Sequence, residues 1–132
     1  GRADWVVAIA PLTDSTKGMF DAEAFAAMQS HARFINVGRG ELVVTDDLVS
    51  ALRDGAIAGA ALDVVDEEPL PKGHPLWSLP NVMITPHNSG DFIGWREALV
   101  TLFAENFVRW ADGQPLDNVV DKSLGYVPTS GS

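Results

Sequence analysis

The amino-acid sequence predicts an α/β fold, namely the C-terminal half of a doubly wound parallel sheet domain followed by a long helix. Short runs that are apolar at nearly every position alternate with amphipathic helical patterns, as in βαβ units. The links between these segments are short, which is typical of right-handed crossovers between parallel strands. A final run, from about residue 91 to residue 111, places large apolar residues at helical spacing and would span roughly 30 Å.

Four segments predict strands because each is short, apolar and bounded by polar residues, glycine or proline. They are expected at residues 4–10, 32–37, 57–64 and 82–85. A run that is apolar at nearly every position, such as the first of these, is typical of a strand buried on both faces of a parallel sheet.

Two shorter helices are predicted between these strands. Asp21 is placed to be the N-cap of a helix that ends near Met28, and Thr45 is placed to be the N-cap of the next. Gly55 is expected to end that second helix, and Gly113 lies just past the end of the long one. The sequence therefore alternates strand and helix as a parallel sheet requires.

The composition limits the range of partners. Of the 132 residues, 18 are acidic and 9 are basic, and the resulting net charge of −9 repels phosphate backbones, so we expect no nucleic-acid partner. Cysteine is absent, which leaves no disulfide and no thiolate ligand. No apolar run reaches the roughly 18 residues that a membrane span needs. We therefore expect no membrane partner and, as the simplest location, the cytoplasm.

One expected feature of a dinucleotide-binding fold is missing from the sequence. Such a fold opens with a strand, a G-x-G-x-x-G loop and a helix, and the only approach to this motif is Gly38-Arg39-Gly40, which lacks the third glycine. We therefore expect a truncated doubly wound domain whose opening half is not in this chain. We also expect this chain alone to have no useful NAD affinity and no activity.

Polar residues that are able to carry chemistry follow three of the predicted strands. Arg39 follows the second, Asp63 and Glu68 follow the third, and His87 follows the fourth, so all are expected at the edge where parallel sheets bind ligands. An arginine holds a carboxylate and its neighbouring keto oxygen with a fork of donors, and a histidine exchanges a proton near neutral pH. Spacing alone leaves ordinary alternatives open: a surface arginine, an isolated histidine and a solvated acidic loop at Glu67-Glu68.

Three ordered blocks of sequence carry a family resemblance. They are Asn36-Val37-Gly38-Arg39-Gly40, the block from Ala60 to Leu70, and the block from Pro80 to His87. In this order and spacing they resemble the signature blocks of the D-isomer-specific 2-hydroxyacid dehydrogenases, and the likeness runs from about residue 3 to residue 120. The chain departs from the family at 88–91, where Asn-Ser-Gly-Asp stands in place of a small run such as Ile-Gly-Gly.

The resemblance implies roles for individual residues of a Rossmann-like domain. Arg39 would bind the substrate carboxylate and carbonyl, His87 would be the acid/base, and Glu68, rather than Glu67, would be the acid beside it. The resemblance also implies NAD or NADP as the cofactor. The residues expected to contact it are Pro11, Val37, Gly38, Asp63 and Gly90, with Asp63 matching the aspartate that contacts the nicotinamide carboxamide.

The resemblance also implies a domain organisation and an activity. Residues 1–113 would be the C-terminal part of the NAD(P)-binding domain, including a long interdomain helix, and residues 114–132 would be a tail returning toward a substrate domain. The full-length parent would transfer a hydride between NAD(P) and a small D-2-hydroxyacid or 2-oxo acid of the 3-phosphoglycerate, hydroxypyruvate or glyoxylate type. The alternative is a non-enzymatic, NAD-sensing relative that resembles a co-repressor.

Two further expectations concern assembly and metals. Exposed sheet edges favour association, and the long helix resembles part of the family's dimer region, so we expect a homodimer or other homo-oligomer. The three histidines are scattered without i,i+4 pairing, which predicts no metal site. His31 and His74 match no catalytic block, and we expect neither to act directly in the chemistry.

Overall fold

A computed structural model describes residues 1–128 of the chain. The last residues of the predicted tail, 129–132, lie outside the described residues. The strands are β1 (Trp5–Ala8), β2 (Arg33–Asn36), β3 (Gly59–Leu62) and β4 (Val82–Ile84). The α-helices are α1 (Ala22–Ala26), α2 (Thr45–Arg53) and α3 (Trp95–Ala111), and short 3-10 helices cover Gly40–Leu42 and Pro75–Ser78.

The four strands form one parallel sheet in the order β1-β2-β3-β4. One row of the register joins Val6, Phe34, Ala60 and Val82 across all four strands. The strands run in the same direction, so their carboxyl ends meet at one edge, which we call the carboxyl edge. The α/β fold with a parallel sheet that the sequence predicted is confirmed.

The hydrophobic core lies on one face of the sheet, between the strands and both short helices. Phe34 of β2 is completely buried at its centre. Its ring meets Phe25 of α1 edge-on at a centroid distance of 5.4 Å and Phe20 at 4.9 Å. Leu48 and Leu52 of α2 complete the same cluster. The apolar faces of α1 and α2 therefore stabilise the sheet from a single side.

The opposite face of the sheet differs from the expectation. Trp5, Val7 and Met83 point away from the core and are 57%, 50% and 61% exposed. The prediction that the first strand is buried on both faces is therefore wrong for the described residues. The physical reason is that α1 and α2, the helices that connect β1, β2 and β3, both lie on the core face.

The predicted helix ends were partly right. The Asp21 side chain accepts a hydrogen bond of 2.9 Å from the Ala24 amide, which confirms it as the N-cap of α1. Thr45 is the first residue of α2 rather than its cap, because Val44 occupies the cap position and no side chain bonds the free amides there. Gly55 follows the end of α2 with a φ of +70°, a conformation that favours glycine.

The chain divides into two compact units, residues 1–89 and the part that begins at Gly90. In the second unit, α3 starts at Trp95, four residues later than predicted, and Gly113 follows it with a φ of +65°. The Asn106 side chain accepts a hydrogen bond of 2.8 Å from the Asp117 amide and donates one of 3.1 Å to its carbonyl, which ties the following segment to α3.

The predicted domain organisation, with a boundary near residue 113, stays a prediction. Within residues 1–128, no helix combines the length and the apolar character that crossing a membrane requires.

Candidate active site at the carboxyl edge of the sheet

The carboxyl edge brings together the ends of β2, β3 and β4. Beyond the last paired residues, the Asp63 amide donates to the Asn36 carbonyl at 3.0 Å, and the Thr85 amide donates to the Leu62 carbonyl at 2.9 Å. These bonds continue the parallel pairing up to the points where the loops depart. The predicted site residues Arg39, Glu68 and His87 lie in those loops. All three are therefore at the carboxyl edge, where we expected them.

His87 and Glu68 are in direct contact. Nδ1 of His87 lies 2.8 Å from Oε2 of Glu68, and the two side chains are 51% and 38% exposed. The other carboxylate oxygen of Glu68 accepts a hydrogen bond of 3.1 Å from the Val65 amide. His87 has a φ of +54°, in the left-handed region, where histidine is more frequent than most other side chains. The carboxylate fixes the ring from one side.

The pKa of Glu68 is lowered, chiefly by the hydrogen bond from His87. Partial burial acts in the opposite direction, and the Val65 amide lowers the pKa further. Glu67, the neighbouring acid, has a different position, since it lines a separate cavity together with Lys17 and Asp66. Of the two adjacent acids, Glu67 and Glu68, it is Glu68 that contacts His87.

Asp63 is a buried carboxylate at the end of β3, and it binds the chain on both sides of His87. Its oxygens accept hydrogen bonds from the Thr85 hydroxyl at 2.5 Å, the Asn88 amide at 3.0 Å and the Ser89 amide at 2.8 Å. Burial alone would raise the pKa of Asp63, but the hydrogen bonds from Ser89, Thr85 and Asn88 outweigh it and hold the pKa well below its usual range. The contact with a nicotinamide carboxamide stays a prediction, and the structure adds a role in fixing the loop that carries His87.

Arg39 lies in the loop of residues 37–40, which we call the Arg39 loop. Its side chain is exposed, and Nη1 donates a hydrogen bond of 2.8 Å to the Gly38 carbonyl. The buried Asn36 side chain donates to the Arg39 carbonyl at 2.9 Å and accepts from the Gly38 amide at 3.1 Å. The guanidinium is thus free toward solvent, whereas the backbone beneath it is fixed.

The two glycines beside Arg39 lie against neighbouring parts of the chain. A Cβ atom on Gly38 would lie 2.9 Å from Leu42 and 3.1 Å from the Ala10 carbonyl, and one on Gly40 would overlap the backbone of Val65. Both glycines therefore permit close packing of the chain on itself.

The predicted cofactor contacts lie mostly at the neighbouring ends of β1 and β2. The Val37 amide donates to the Ala8 carbonyl at 3.1 Å, and Gly38 lies against Ala10, the residue before the exposed Pro11. Gly90 lies in the second unit, and its predicted contact stays a prediction.

A cavity of about 420 Å³ opens beside the His87–Glu68 pair, a volume within the range of small-molecule sites. Asp63 and Thr85 contribute polar groups to it. Its walls are otherwise mainly apolar, formed by Val65, Pro69, Leu70, Trp77, Ile84 and Pro86.

Three residues that support this site were not singled out from the sequence. Asn36 binds the Arg39 loop, and Thr85 and Ser89, on either side of His87, bind Asp63. A signal was present for Asn36, since an asparagine at the end of an apolar strand needs partners once it is buried. Nothing in the local sequence indicates that Thr85 and Ser89 share one carboxylate 22 and 26 residues away.

The remaining histidines have other partners. His31 bonds the exposed Asp4 at 2.7 Å, and Nδ1 of His74 accepts from the Leu76 amide at 3.2 Å, as the cap of a 3-10 helix. Within the described part of the chain, no three metal-ligating side chains lie together.

Comparison with known proteins supports the resemblance that the three motifs carried. A family model described as "D-isomer specific 2-hydroxyacid dehydrogenase, NAD binding domain" matches residues 1–89. Human glyoxylate reductase/hydroxypyruvate reductase is 39% identical over 115 residues, which cover 87% of this chain and 35% of that protein. The chain spans between 35% and 41% of the length of the curated relatives at the top of the comparison.

Two solved structures resemble the whole chain. A D-isomer specific 2-hydroxyacid dehydrogenase from Xanthobacter autotrophicus Py2, in complex with NADPH and MES, has a TM-score of 0.84 at 43% identity, covering 94% of this chain and 50% of that one. An NADPH-dependent glyoxylate/hydroxypyruvate reductase from Sinorhizobium meliloti, in complex with NADP and sulfate, has a TM-score of 0.85 at 39% identity. It covers 96% of this chain and 41% of that one.

Proposed function

The chain belongs to the D-isomer-specific 2-hydroxyacid dehydrogenase family, and from that premise we propose that the whole protein is an NAD(P)-dependent reductase of small 2-oxo acids. The observation that carries the proposal is the His87–Glu68 pair, 2.8 Å apart, at the sheet edge where Arg39 also lies. A proton donor with its carboxylate partner and an anion-binding arginine are what the reduction of a 2-oxo acid requires of a protein.

Arg39 is the proposed binding group for the substrate carboxylate. Its side chain is exposed at the carboxyl edge, and its planar fork of donors matches a carboxylate and the adjacent carbonyl oxygen better than a lysine would. Binding both groups fixes the direction in which the carbonyl carbon presents its face. Arg39 therefore binds and orients the substrate.

His87 is the proposed proton donor to the carbonyl oxygen. Glu68 occupies Nδ1, which leaves Nε2 as the ring nitrogen that exchanges a proton with the substrate. The Glu68 carboxylate, fixed in turn by the Val65 amide, orients the ring by holding Nδ1. In the reverse reaction the same nitrogen accepts the hydroxyl proton of the 2-hydroxyacid.

NAD(H) or NADP(H), when bound, supplies or accepts the hydride at the carbonyl carbon of the substrate. The proposed contacts of this chain with the cofactor are Pro11, Val37, Gly38, Asp63 and Gly90. Val37, Gly38 and Asp63 would lie on the nicotinamide side and Pro11 on the adenosine side, and the chain contains no G-x-G-x-x-G motif for the pyrophosphate. Structural relatives in complex with NADPH and NADP make NADP(H) the first candidate to test, and NAD(H) stays a candidate because the matching family model is described as an NAD binding domain.

Glyoxylate and hydroxypyruvate are the substrates that we propose first, because similar proteins carry those names. A 3-phosphoglycerate type of substrate stays a further prediction of the sequence. The alternative of a non-enzymatic, NAD-sensing protein gains no support from the comparisons, in which the named relatives are reductases.

The wider organisation is also proposed. Residues 1–113 would complete an NAD(P)-binding domain, and residues 114–132 would lead toward a substrate domain. A homodimer or other homo-oligomer and a cytoplasmic location stay predictions, which the mass in solution and fractionation of cells would check.

The proposed function is tested on protein expressed from the complete reading frame. Oxidation of NADPH and of NADH is followed by absorbance with glyoxylate and hydroxypyruvate, and with acetate and propionate as carboxylates that lack the 2-oxo group. We expect turnover with the 2-oxo acids alone. Binding of NADPH without turnover of any 2-oxo acid would contradict the proposal and favour the NAD-sensing alternative.

A further inference from the structure

Asn36 connects the loops of the proposed catalytic residues. It is 1% exposed, and its side-chain amide bonds the Arg39 loop at two points, at the Arg39 carbonyl and the Gly38 amide. Its backbone carbonyl accepts from the Asp63 amide at 3.0 Å. One buried residue therefore joins the Arg39 loop to the carboxylate that binds the chain on both sides of His87.

Gly40 makes a second connection between the same two regions. A Cβ atom at this position would overlap the carbonyl of Val65 and the amide nitrogen of Asp66, so the backbones of the two loops are packed directly on each other. Val65 is also the residue whose amide binds Glu68. The φ of Gly40 lies outside the left-handed region, and its need for glycine therefore comes from this close approach alone.

We propose that Asn36 and Gly40 are positioning residues, which hold Arg39 in register with the His87–Glu68 pair. This inference rests on the proposed function, in which Arg39 binds the carboxylate of a 2-oxo acid and His87 protonates its carbonyl. Neither residue touches the substrate. Each acts by fixing the distance between two groups that must reach adjacent atoms of one small molecule.

The physical reason is the size of the substrate. In a 2-oxo acid the carboxylate carbon is bonded directly to the carbonyl carbon. A small movement of the Arg39 loop therefore separates Arg39 from His87 by more than the substrate can span. A misplacement of about 1 Å can cost about 100-fold in rate. Because Arg39 contributes to binding and His87 to chemistry, a shifted Arg39 loop changes KM more than kcat.

Two substitutions test the inference, each with a matched control at the opposite edge of the sheet. Gly40→Ala forces the two loops apart, and Gly59→Ala introduces a Cβ atom 2.7 Å from the Asn81 carbonyl, away from the site. Asn36→Ala removes both bonds to the Arg39 loop without adding atoms. Asn81→Ala removes a comparable bond, 3.2 Å long, to the Leu52 carbonyl.

The measurements use the complete protein and separate binding from folding. They are KM and kcat for glyoxylate with NADPH, the dissociation constant of oxamate by calorimetry, and Tm. Oxamate carries the carboxylate and the adjacent carbonyl but accepts no hydride. We expect both site variants to raise KM and the oxamate dissociation constant at least about tenfold, with kcat changed less. Both controls are expected to lower Tm without changing either constant.

Each outcome decides the matter. Site variants that lose Tm but keep wild-type KM and oxamate affinity would overturn the positioning role while leaving the proposed function intact. A wild-type protein that neither reduces 2-oxo acids nor binds oxamate would overturn the proposed function and the inference with it. If Gly40→Ala does not fold, Asn36→Ala alone decides, because its smaller side chain makes no overlap.

Discussion

Nδ1 of His87 lies 2.8 Å from Oε2 of Glu68, and the second oxygen of that carboxylate is bound by the Val65 amide at 3.1 Å. The two contacts fix which ring nitrogen faces the carboxylate and leave the other one for proton exchange. Glu67, one position earlier, lines a different cavity. The first two predictions concern His87 and these two adjacent acids.

Replacing His87 tests the proposed proton donor. His87→Gln keeps a polar side chain of similar reach but removes the group that exchanges protons near neutral pH. We expect kcat for glyoxylate reduction to fall by about 100-fold to 10,000-fold, the range for loss of a general acid. His31→Gln is the control, since His31 is exposed and bonds Asp4 at 2.7 Å outside the site. Near-normal turnover by His87→Gln would remove His87 from the mechanism.

Paired substitutions separate the two acids. Glu68→Gln keeps the size of the side chain but removes the negative charge beside His87, so the imidazole loses the carboxylate that orients it. We expect kcat to fall about 10-fold to 100-fold, as for loss of a partner that orients a functional histidine. Glu67→Gln makes the same chemical change one residue away and should leave kcat unchanged. Steady-state kinetics with glyoxylate measures both, and equal effects of the two substitutions would contradict the assignment.

The elements of the first unit were predictable because each rests on local signals. The apolar segment around Phe34 has strand length, and Asp21 precedes a helical pattern as caps do. Thr45 was misassigned because threonine caps and threonine first-turn residues look alike in sequence. Only the tertiary placement of Phe20 and Val44, whose backbones are bonded to each other at 3.0 Å, decides between them.

The supporting residues of the site were not predictable in the same way. Asp63 and Thr85 meet across 22 residues of chain, and the contact exists only because β3 and β4 are neighbours in register. The exposed outer face, with Trp5 and Val7, was missed for a related reason. An apolar run shows that a strand is able to be buried on both faces, but the positions of the helices determine whether it is.

Arg39 is tested by a conservative change. Arg39→Lys keeps the positive charge but replaces a planar fork with a single point charge, which cannot bind a carboxylate and the adjacent carbonyl together. We expect KM for glyoxylate to rise about 10-fold to 100-fold, equivalent to about 1.4–2.8 kcal/mol of lost binding. Arg53→Lys, at the exposed end of α2, is the control. An unchanged KM in Arg39→Lys would show that the fork is not used.

The buried carboxylate of Asp63 contributes to the free energy of unfolding, and a substitution measures this contribution at pH 7. Asp63→Asn replaces one acceptor oxygen with an amino group, which must face a donor from Thr85, Asn88 or Ser89. Leaving such a donor unpaired costs about 1–3 kcal/mol. At pH 7 we therefore expect the free energy of unfolding, measured by urea denaturation of the complete protein, to fall by about that amount. Asp54→Asn, exposed beyond the end of α2, should change it by less than about 0.5 kcal/mol.

The sign of the pH dependence follows from the lowered pKa of Asp63, which its hydrogen bonds hold below the usual range despite burial. In the unfolded chain an aspartate binds its proton near a pH of about 3.9. The stabilisation is therefore complete above about pH 5, and it is lost as the pH falls below about 4 toward the folded-state pKa. Asp63→Asn has no carboxylate at this position, so the difference in the free energy of unfolding between the wild-type protein and this variant should become smaller in acid. A difference that stayed constant from pH 7 to about pH 3 would mean that Asp63 is not stabilised as a carboxylate in the folded protein.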